Sequence, residues 1–218
     1  MSEVYVFDAY GTLFDVHAAA AHHAEALGPK WQQLSDIWRT KQLEYTWVNA
    51  AAGAHDTFWN VTVQGLDFAI ASVGGVADGM REDLLDAYRT LTAYPEVPEV
   101  LKALKARNAK LAILSNGDLA MLETAVGSAG LAQMFDALLS VDSVGIFKPS
   151  MKVYALATDR FGVAPNEISF QSSNRWDIAG GNIFGFKTAW INRANKPDEY
   201  PNNPPQRVLS DLRGLLDE

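Results

Sequence analysis

Four polar segments of this 218-residue sequence each follow a short apolar run, and each carries groups able to bond, donate or accept protons. They are Asp8, Ser115-Asn116-Gly117-Asp118, Lys148-Pro149, and Ser172-Ser173-Asn174-Arg175-Trp176-Asp177. One Asp after a strand is ordinarily a cap or turn residue. A strand-end Asp, a Ser-Asn pair, a Lys and a Ser-Ser-Asn-x-x-Asp run, in that order, exceed what capping requires. The chain has no Cys, which excludes disulfides, thiolate zinc sites, iron–sulfur clusters and thiol nucleophiles. Any nucleophile is therefore oxygen or nitrogen. His17, His22, His23 and His55 lack the Glu spacing of a helical zinc pair, and no Walker loop, dinucleotide fingerprint or Gly-x-Ser-x-Gly elbow occurs.

The elements that position these segments are legible in outline. Residues 4–7, β-branched and aromatic, read as a buried strand entering a loop. Residues 16–89 read as helical, interrupted at most by a strand at 70–73. Pro95 and Pro98 then punctuate the chain as a hinge, with a helix expected over 99–107. Beyond it strands at 110–114, 137–141, 168–171 and 187–191 alternate with helices at 119–126 and 151–161, a pattern that implies right-handed crossovers and a parallel sheet. Residues 195–206, with four of the nine prolines, read as a surface loop before a short helix ending at Leu216. The expected fold is α/β: a Rossmann-like parallel sheet core of residues 1–14 and 94–218, with an inserted helical cap of residues 15–93. In such a sheet ligands bind beyond the carboxyl ends of the strands, where the four polar segments stand.

Asp8-Ala9-Tyr10-Gly11-Thr12-Leu13-Phe14-Asp15, Leu114-Ser115-Asn116-Gly117, Lys148-Pro149 and Ser172–Asp177 together resemble the four signature motifs of the haloacid dehalogenase superfamily. Within it they are most similar to the L-2-haloacid dehalogenases, a likeness that extends through residues 38–47 to about Arg193. The resemblance implies hydrolysis of short 2-halocarboxylic acids, with inversion, through an ester on Asp8. It assigns Lys148 to the charge of Asp8, and Asp177, Asn174, Ser173 and Lys148 to the hydrolytic water. Arg39, Asn116 and Phe58 are implied for the departing halide. Ser115 and backbone N–H groups after Asp8 are implied for the substrate carboxylate. Thr12, Ser172, Tyr154, Tyr10 and Trp176 complete the implied site; Thr12 and Ser172 read equally well as loop braces, and Tyr154 as core. Arg175 stands where the family's motif commonly has a small residue, and faces either solvent or the substrate's approach. No cofactor or metal is implied, and a homodimer is.

Two alternatives stay open. Superfamily phosphatases carry a second Asp two residues after the nucleophile as general acid; here Tyr10 holds that place, and phenol has the wrong pKa for the task. A halide leaves without a proton, so a dehalogenase tolerates Tyr10. A non-catalytic binding protein on the same fold is the other alternative, and Asp8, Ser115, Lys148 and Asp177 are all present against it. Composition narrows partners further: 18 Lys and Arg against 26 Asp and Glu give a formal charge of −8, which disfavours nucleic acid and anionic lipid. No basic leader and no apolar run of roughly 18 residues are visible, so a cytoplasmic protein off the membrane is expected.

Overall fold

The structure is a computed structural model describing residues 3–217. Residues 1, 2 and 218, assigned above to the core, lie outside the described residues. Strand β1 (Val4–Phe7) is buried at every position, as a Val-Tyr-Val-Phe run covered on both faces must be. The chain then enters helices α1 (Ala18–His22), α2 (Ala24–Leu27), α3 (Trp31–Ala52), α4 (Phe58–Ser72) and α5 (Met80–Arg89). It returns through α6 (Val97–Ala106), β2 (Lys110–Ser115), α7 (Leu119–Ser128), β3 (Ala137–Ser140), α8 (Met151–Phe161), β4 (Ile168–Ser172), α9 (Arg175–Phe184), β5 (Lys187–Ile191) and β6 (Arg207–Leu209).

Among the described residues the strands form one parallel sheet ordered β3-β2-β1-β4-β5-β6. The order grows outward from β1 to β3 and then resumes on its other side with β4. The loops after β1 and β4 therefore leave on opposite faces and open a crevice between them. Phe7 pairs with Ile113 on one side and Gln171 on the other. Asp8 thus emerges level with the ends of both neighbouring strands, where the other polar segments begin.

The helices between β1 and α6, called the cap below, pack on one another. Helices α3 and α4 approach so closely that a Cβ on Gly65 would lie 3.2 Å from both the Trp38 carbonyl and the Gln42 nitrogen. Trp38 Nε1 donates to the Thr62 carbonyl at 2.8 Å, and Gln42 Nε2 donates to Thr62 Oγ1 at 2.6 Å and Tyr88 Oη at 2.9 Å. These bonds tie α3, α4 and α5 together. Where the chain enters and leaves the cap, its two passages run side by side. Tyr94 N–H donates to the Leu13 carbonyl at 2.9 Å and Asp15 N–H to the Thr92 carbonyl at 3.0 Å.

Several expected elements differ. Residues 70–73 are no strand; they close α4, whose apolar face is buried in the cap. Pro98 does not keep its neighbours extended but sits in the first turn of α6, where its missing N–H costs nothing. Residue 141 starts a 3₁₀ turn rather than ending β3. Helix α9 and strand β6 had no counterpart in the sequence reading, and the terminal helix is a five-residue 3₁₀ turn, Leu212–Leu216. Among the described residues no helix is long and apolar enough to cross a membrane.

Candidate active site

The side chain of Asp8 leaves β1 into the crevice and is 8% exposed. Its Oδ2 accepts from Thr12 Oγ1 at 3.0 Å and Asn174 Nδ2 at 2.9 Å, while Oδ1 accepts from Lys148 Nζ at 3.2 Å. Lys148 also donates to Asp177 Oδ2 at 2.8 Å, so one buried ammonium bridges two buried carboxylates. Tyr154 Oη donates to the other oxygen of Asp177 at 2.8 Å. Burial disfavours the charge on Lys148, but Asp177 and Asp8 outweigh it and hold the ammonium above its ordinary pKa. Burial pushes the Asp177 carboxyl up; Lys148 opposes this and the charge of Asp8 adds to it. A buried cation with two anions is a charged, dry cluster whose members hold one another in place.

Around this cluster each motif contributes an oriented group. Asn116 Oδ1 accepts from Lys148 N–H at 2.8 Å, which turns its NH₂ toward the cleft as a donor. Ser115 Oγ accepts from Gly117 N–H at 3.0 Å and keeps its own proton to donate. Arg39 reaches from α3 across the crevice: Nη2 donates to the Tyr10 carbonyl at 3.0 Å and Asn174 Oδ1 at 3.2 Å, and Nη1 donates to Gln42 Oε1 at 2.8 Å. The Tyr10 ring stacks on Tyr88 at 5.8 Å and meets Phe58 at 5.2 Å. Burial pushes its phenol well above the ordinary range.

Asp8, Tyr10, Arg39, Phe58, Ser115, Asn116, Lys148, Asn174 and Trp176, with Leu43, line one cleft. The space left among them is about 10 Å³, room for roughly one water. Arg39, Leu43 and Asn174 separate it from an open cavity of about 640 Å³ between cap and core.

The remaining expected site residues stand behind that wall. Thr12 Oγ1, besides donating to Asp8, accepts from Ser173 N–H at 2.8 Å, and Ser172 Oγ accepts from Asn174 N–H at 3.1 Å. Both brace the loop that presents Asn174. The Ser173 hydroxyl is buried with no hydrogen-bond partner, as is the Trp176 indole N–H. The N–H groups of Gly11, Thr12, Leu13 and Phe14 donate to carbonyls within their own loop. Arg175 faces neither solvent nor the cleft. It is buried, donates to Asp198 at 2.5 Å and to the Tyr200 and Asn203 carbonyls, and so pins the proline-rich loop.

A family model described as haloacid dehalogenase-like hydrolase matches residues 3–185. The chain belongs to the haloacid dehalogenase-like hydrolases. It is 46% identical over 211 residues to (S)-2-haloacid dehalogenase 1 of Pseudomonas sp. (strain CBS-3), covering 96% of this chain and 93% of that one. A crystal structure of a dehalogenase superposes with a TM-score of 0.96 at 40% identity, covering 99% and 96% of the two chains. The L-2-haloacid dehalogenase from Xanthobacter autotrophicus with chloropropionic acid covalently bound superposes with a TM-score of 0.87 at 35% identity, covering 99% and 97%.

Two features of this haloacid dehalogenase-like hydrolase escaped the sequence reading. Gln42, one turn after Arg39, gave no signal beyond its spacing, yet it holds the guanidinium. Gly180 follows Asp177 by three residues in α9, and a Cβ there would lie 2.9 Å from Tyr154 Cζ and closer still to Oη. Among the described residues no three His, Cys, Asp or Glu side chains converge as metal ligands.

Gly180→Ala is expected to push Tyr154 off Asp177 and to cost about 1–3 kcal/mol, the usual scale of overpacking. Thermal unfolding checks this, and the penalty should shrink in a Tyr154→Phe background. Equal stability with and without the methyl would contradict the close approach.

Lys148→Met leaves Asp8 and Asp177 buried without their cation, at a cost of about 3–5 kcal/mol. The folded variant then holds Asp177 at a still higher pKa than the unfolded chain. It binds protons that the unfolded chain does not, so its stability falls as pH rises from the ordinary carboxylate range through that raised value. Melting temperatures of variant and wild type should accordingly diverge more at about pH 8 than at about pH 5.5. A pH-independent difference would mean that Asp177 stays ionised in the folded variant across that range and that its pKa is not raised.

Proposed function

We propose that the protein is an (S)-2-haloacid dehalogenase that hydrolyses short 2-halocarboxylic acids to (R)-2-hydroxy acids through an ester on Asp8. The observation that carries this reading is the bridge from Lys148 to Asp8 and Asp177 in a cleft with room for about one water. Asp8 Oδ1 accepts one hydrogen bond where Oδ2 accepts two, so Oδ1 keeps the freer lone pair for attack. A new bond forms from Oδ1 to the substrate's C2 as the carbon–halogen bond breaks, and its electron pair leaves with the halide. Displacement by carboxylate is slow in water, where the nucleophile is solvated; orientation in a dry cleft is worth up to roughly 7–11 kcal/mol. Arg39 and the Asn116 amide, beside the Phe58 ring, take up the charge developing on the halide. Ser115 holds the substrate carboxylate between Tyr10 and Trp176.

Water then attacks the side-chain carbonyl carbon of the Asp8 ester. Asp177 accepts one proton from it, a role suited to a carboxyl pushed up by burial; the second proton of the water passes to the departing alkoxide oxygen, the carbon–oxygen bond of the ester breaks to restore the Asp8 carboxylate, and Asp177 then gives its proton to solvent. Lys148 balances the charge on the Asp8 carboxylate before attack and the oxyanion that forms on its carbonyl during hydrolysis. Asn174 and Ser173 orient the water, while Thr12, Ser172 and Tyr154 hold the groups that touch the reactants. We take residues 15–93 as the moving cap and residues 1–14 and 94–218 as the fixed core, because the cleft as it stands cannot admit a haloacid.

A phosphatase reading requires a proton donor two residues after Asp8. Tyr10, buried among rings and driven to a higher pKa, is unsuited to it. The proposal includes a cytoplasmic homodimer. A chain without cysteine has no need of an oxidising compartment. Trp47, Met151, Ile183 and Tyr200, each more than a third exposed, line one apolar groove able to meet a second copy.

Asp8→Asn should lower halide release from (S)-2-chloropropionate by at least about a thousandfold without loss of the fold. The deciding experiment is a single turnover with enzyme in excess in H₂¹⁸O. The ester route places the heavy oxygen in the Asp8 peptide and leaves the lactate hydroxyl light. Labelled lactate beside an unlabelled Asp8 would make Asp8 a general base and remove the covalent intermediate.

A further inference from the structure

An aspartate immediately before a helix ordinarily caps that helix with its own carboxylate. Asp118 stands in that position before α7, with φ −59° and ψ 146°, yet its side chain makes no bond to α7. It turns instead to the cap. Its Oδ1 accepts from the Phe58 N–H and its Oδ2 from the Trp59 N–H, both at 2.8 Å. These are the first two N–H groups of α4; the third, on Asn60, is met by Thr57 Oγ1 at 3.0 Å. Helix α7 is served from elsewhere, since Asp142 Oδ2 accepts from Leu119 N–H at 2.8 Å. The capping partners of α7 have thus been exchanged, and the released carboxylate spans cap and core.

What the exchange joins bears on the reaction. Phe58 heads α4, is 1% exposed and lines the cleft, with its ring against Tyr10 at 5.2 Å and Phe147 at 6.5 Å. Asp118 ends the loop that carries Ser115 and Asn116, and that loop is itself held: Ser140 Oγ donates to the Gly117 carbonyl at 2.8 Å. Two charge-assisted bonds to a helix start define both the distance and the direction of α4 relative to this loop.

We propose that Asp118 is a positioning residue that sets the Phe58 ring against the substrate by tying the start of α4 to the Ser115-Asn116 loop. The assignment rests on the 2-haloacid reading above and deepens it. Asp118 touches no reactant, and its effect on turnover passes through Phe58. A purely structural clasp would weaken the fold equally whatever side chain stood at residue 58, and would carry no specific coupling to it in catalysis.

A double-mutant cycle separates the two. In Asp118→Ala, kcat/KM for (S)-2-chloropropionate should fall roughly tenfold, the scale of one lost N-cap. In a Phe58→Leu background the same substitution should lower kcat/KM by no more than about twofold, while the losses in melting temperature add. If Asp118→Ala does not fold, Asp118→Asn, which keeps one acceptor, is read in the same cycle. An equal factor in both backgrounds, or no loss at all, overturns the assignment alone. A wild-type chain that releases no halide overturns the 2-haloacid reading and this assignment with it.

Discussion

The ammonium of Lys148 is the point from which the site is built. Two carboxylates, Asp8 and Asp177, are taken out of water on either side of it, and neither could stay charged there without that cation. Everything that brings the three together is therefore under strict geometric demand. The parallel register of β1 with β2 and β4 sets Asp8, α9 delivers Asp177 in its first turn, and Asn116 holds the Lys148 backbone. The Phe170 ring, 5.1 Å from Nζ, closes the remaining side with a face that favours a cation. Even the absence of a side chain at Gly180 serves this cluster, by letting Tyr154 reach the second oxygen of Asp177.

Chemistry on a small anion by a chain of formal charge −8 asks for local positive groups that the whole protein does not supply. Lys148 is committed to the carboxylates, so the cap must bring the other cation. Arg39 does so from α3, and its bonds run to the Tyr10 carbonyl and Asn174, both on core loops. The guanidinium is also tied back into the cap through Gln42, Thr62 and Tyr88, a buried polar chain in which each donor meets an acceptor. Cap rigidity and site assembly are in this sense one property.

The sequence carried the sheet and the site unequally. Strands β1 and β5 and helix α8 were legible to the residue, because apolar runs or a helical period end there against polar or turn residues. Helix α9 was not. Gly180 and Gly181 lie in its middle and lower its propensity, and their purpose, contact with Tyr154 and Phe170, belongs to tertiary packing. The core residues that gather at the cleft were legible as motifs after strands, since chemistry-bearing types are rare in apolar surroundings; Arg39 and Phe58, on helices α3 and α4, came only from the family resemblance, and Leu43 from neither. Their supporting partners were not. Asp118 bonds to backbone N–H groups some sixty residues earlier, and Arg175 to the backbone carbonyls of Tyr200 and Asn203 more than twenty residues later. Backbone partners leave no mark in residue type.

The paired passages at Leu13–Asp15 and Thr92–Tyr94 carry a consequence for rates. Because they lie side by side and are hydrogen-bonded to each other, a swing of the inserted helices about them would leave those two bonds whole. Opening of the cleft would break what spans the gap at a distance from them: the Arg39 and Asp118 bonds and the ring contacts of Tyr10 with Phe58 and Tyr88, Phe58 with Phe147 and Trp47 with Trp176. The sheet need not loosen for the molecule to exchange its contents with solvent. Global stability and the frequency of opening are therefore separable quantities, governed by different residues, so a thermally robust version of this chain need not be a sluggish one.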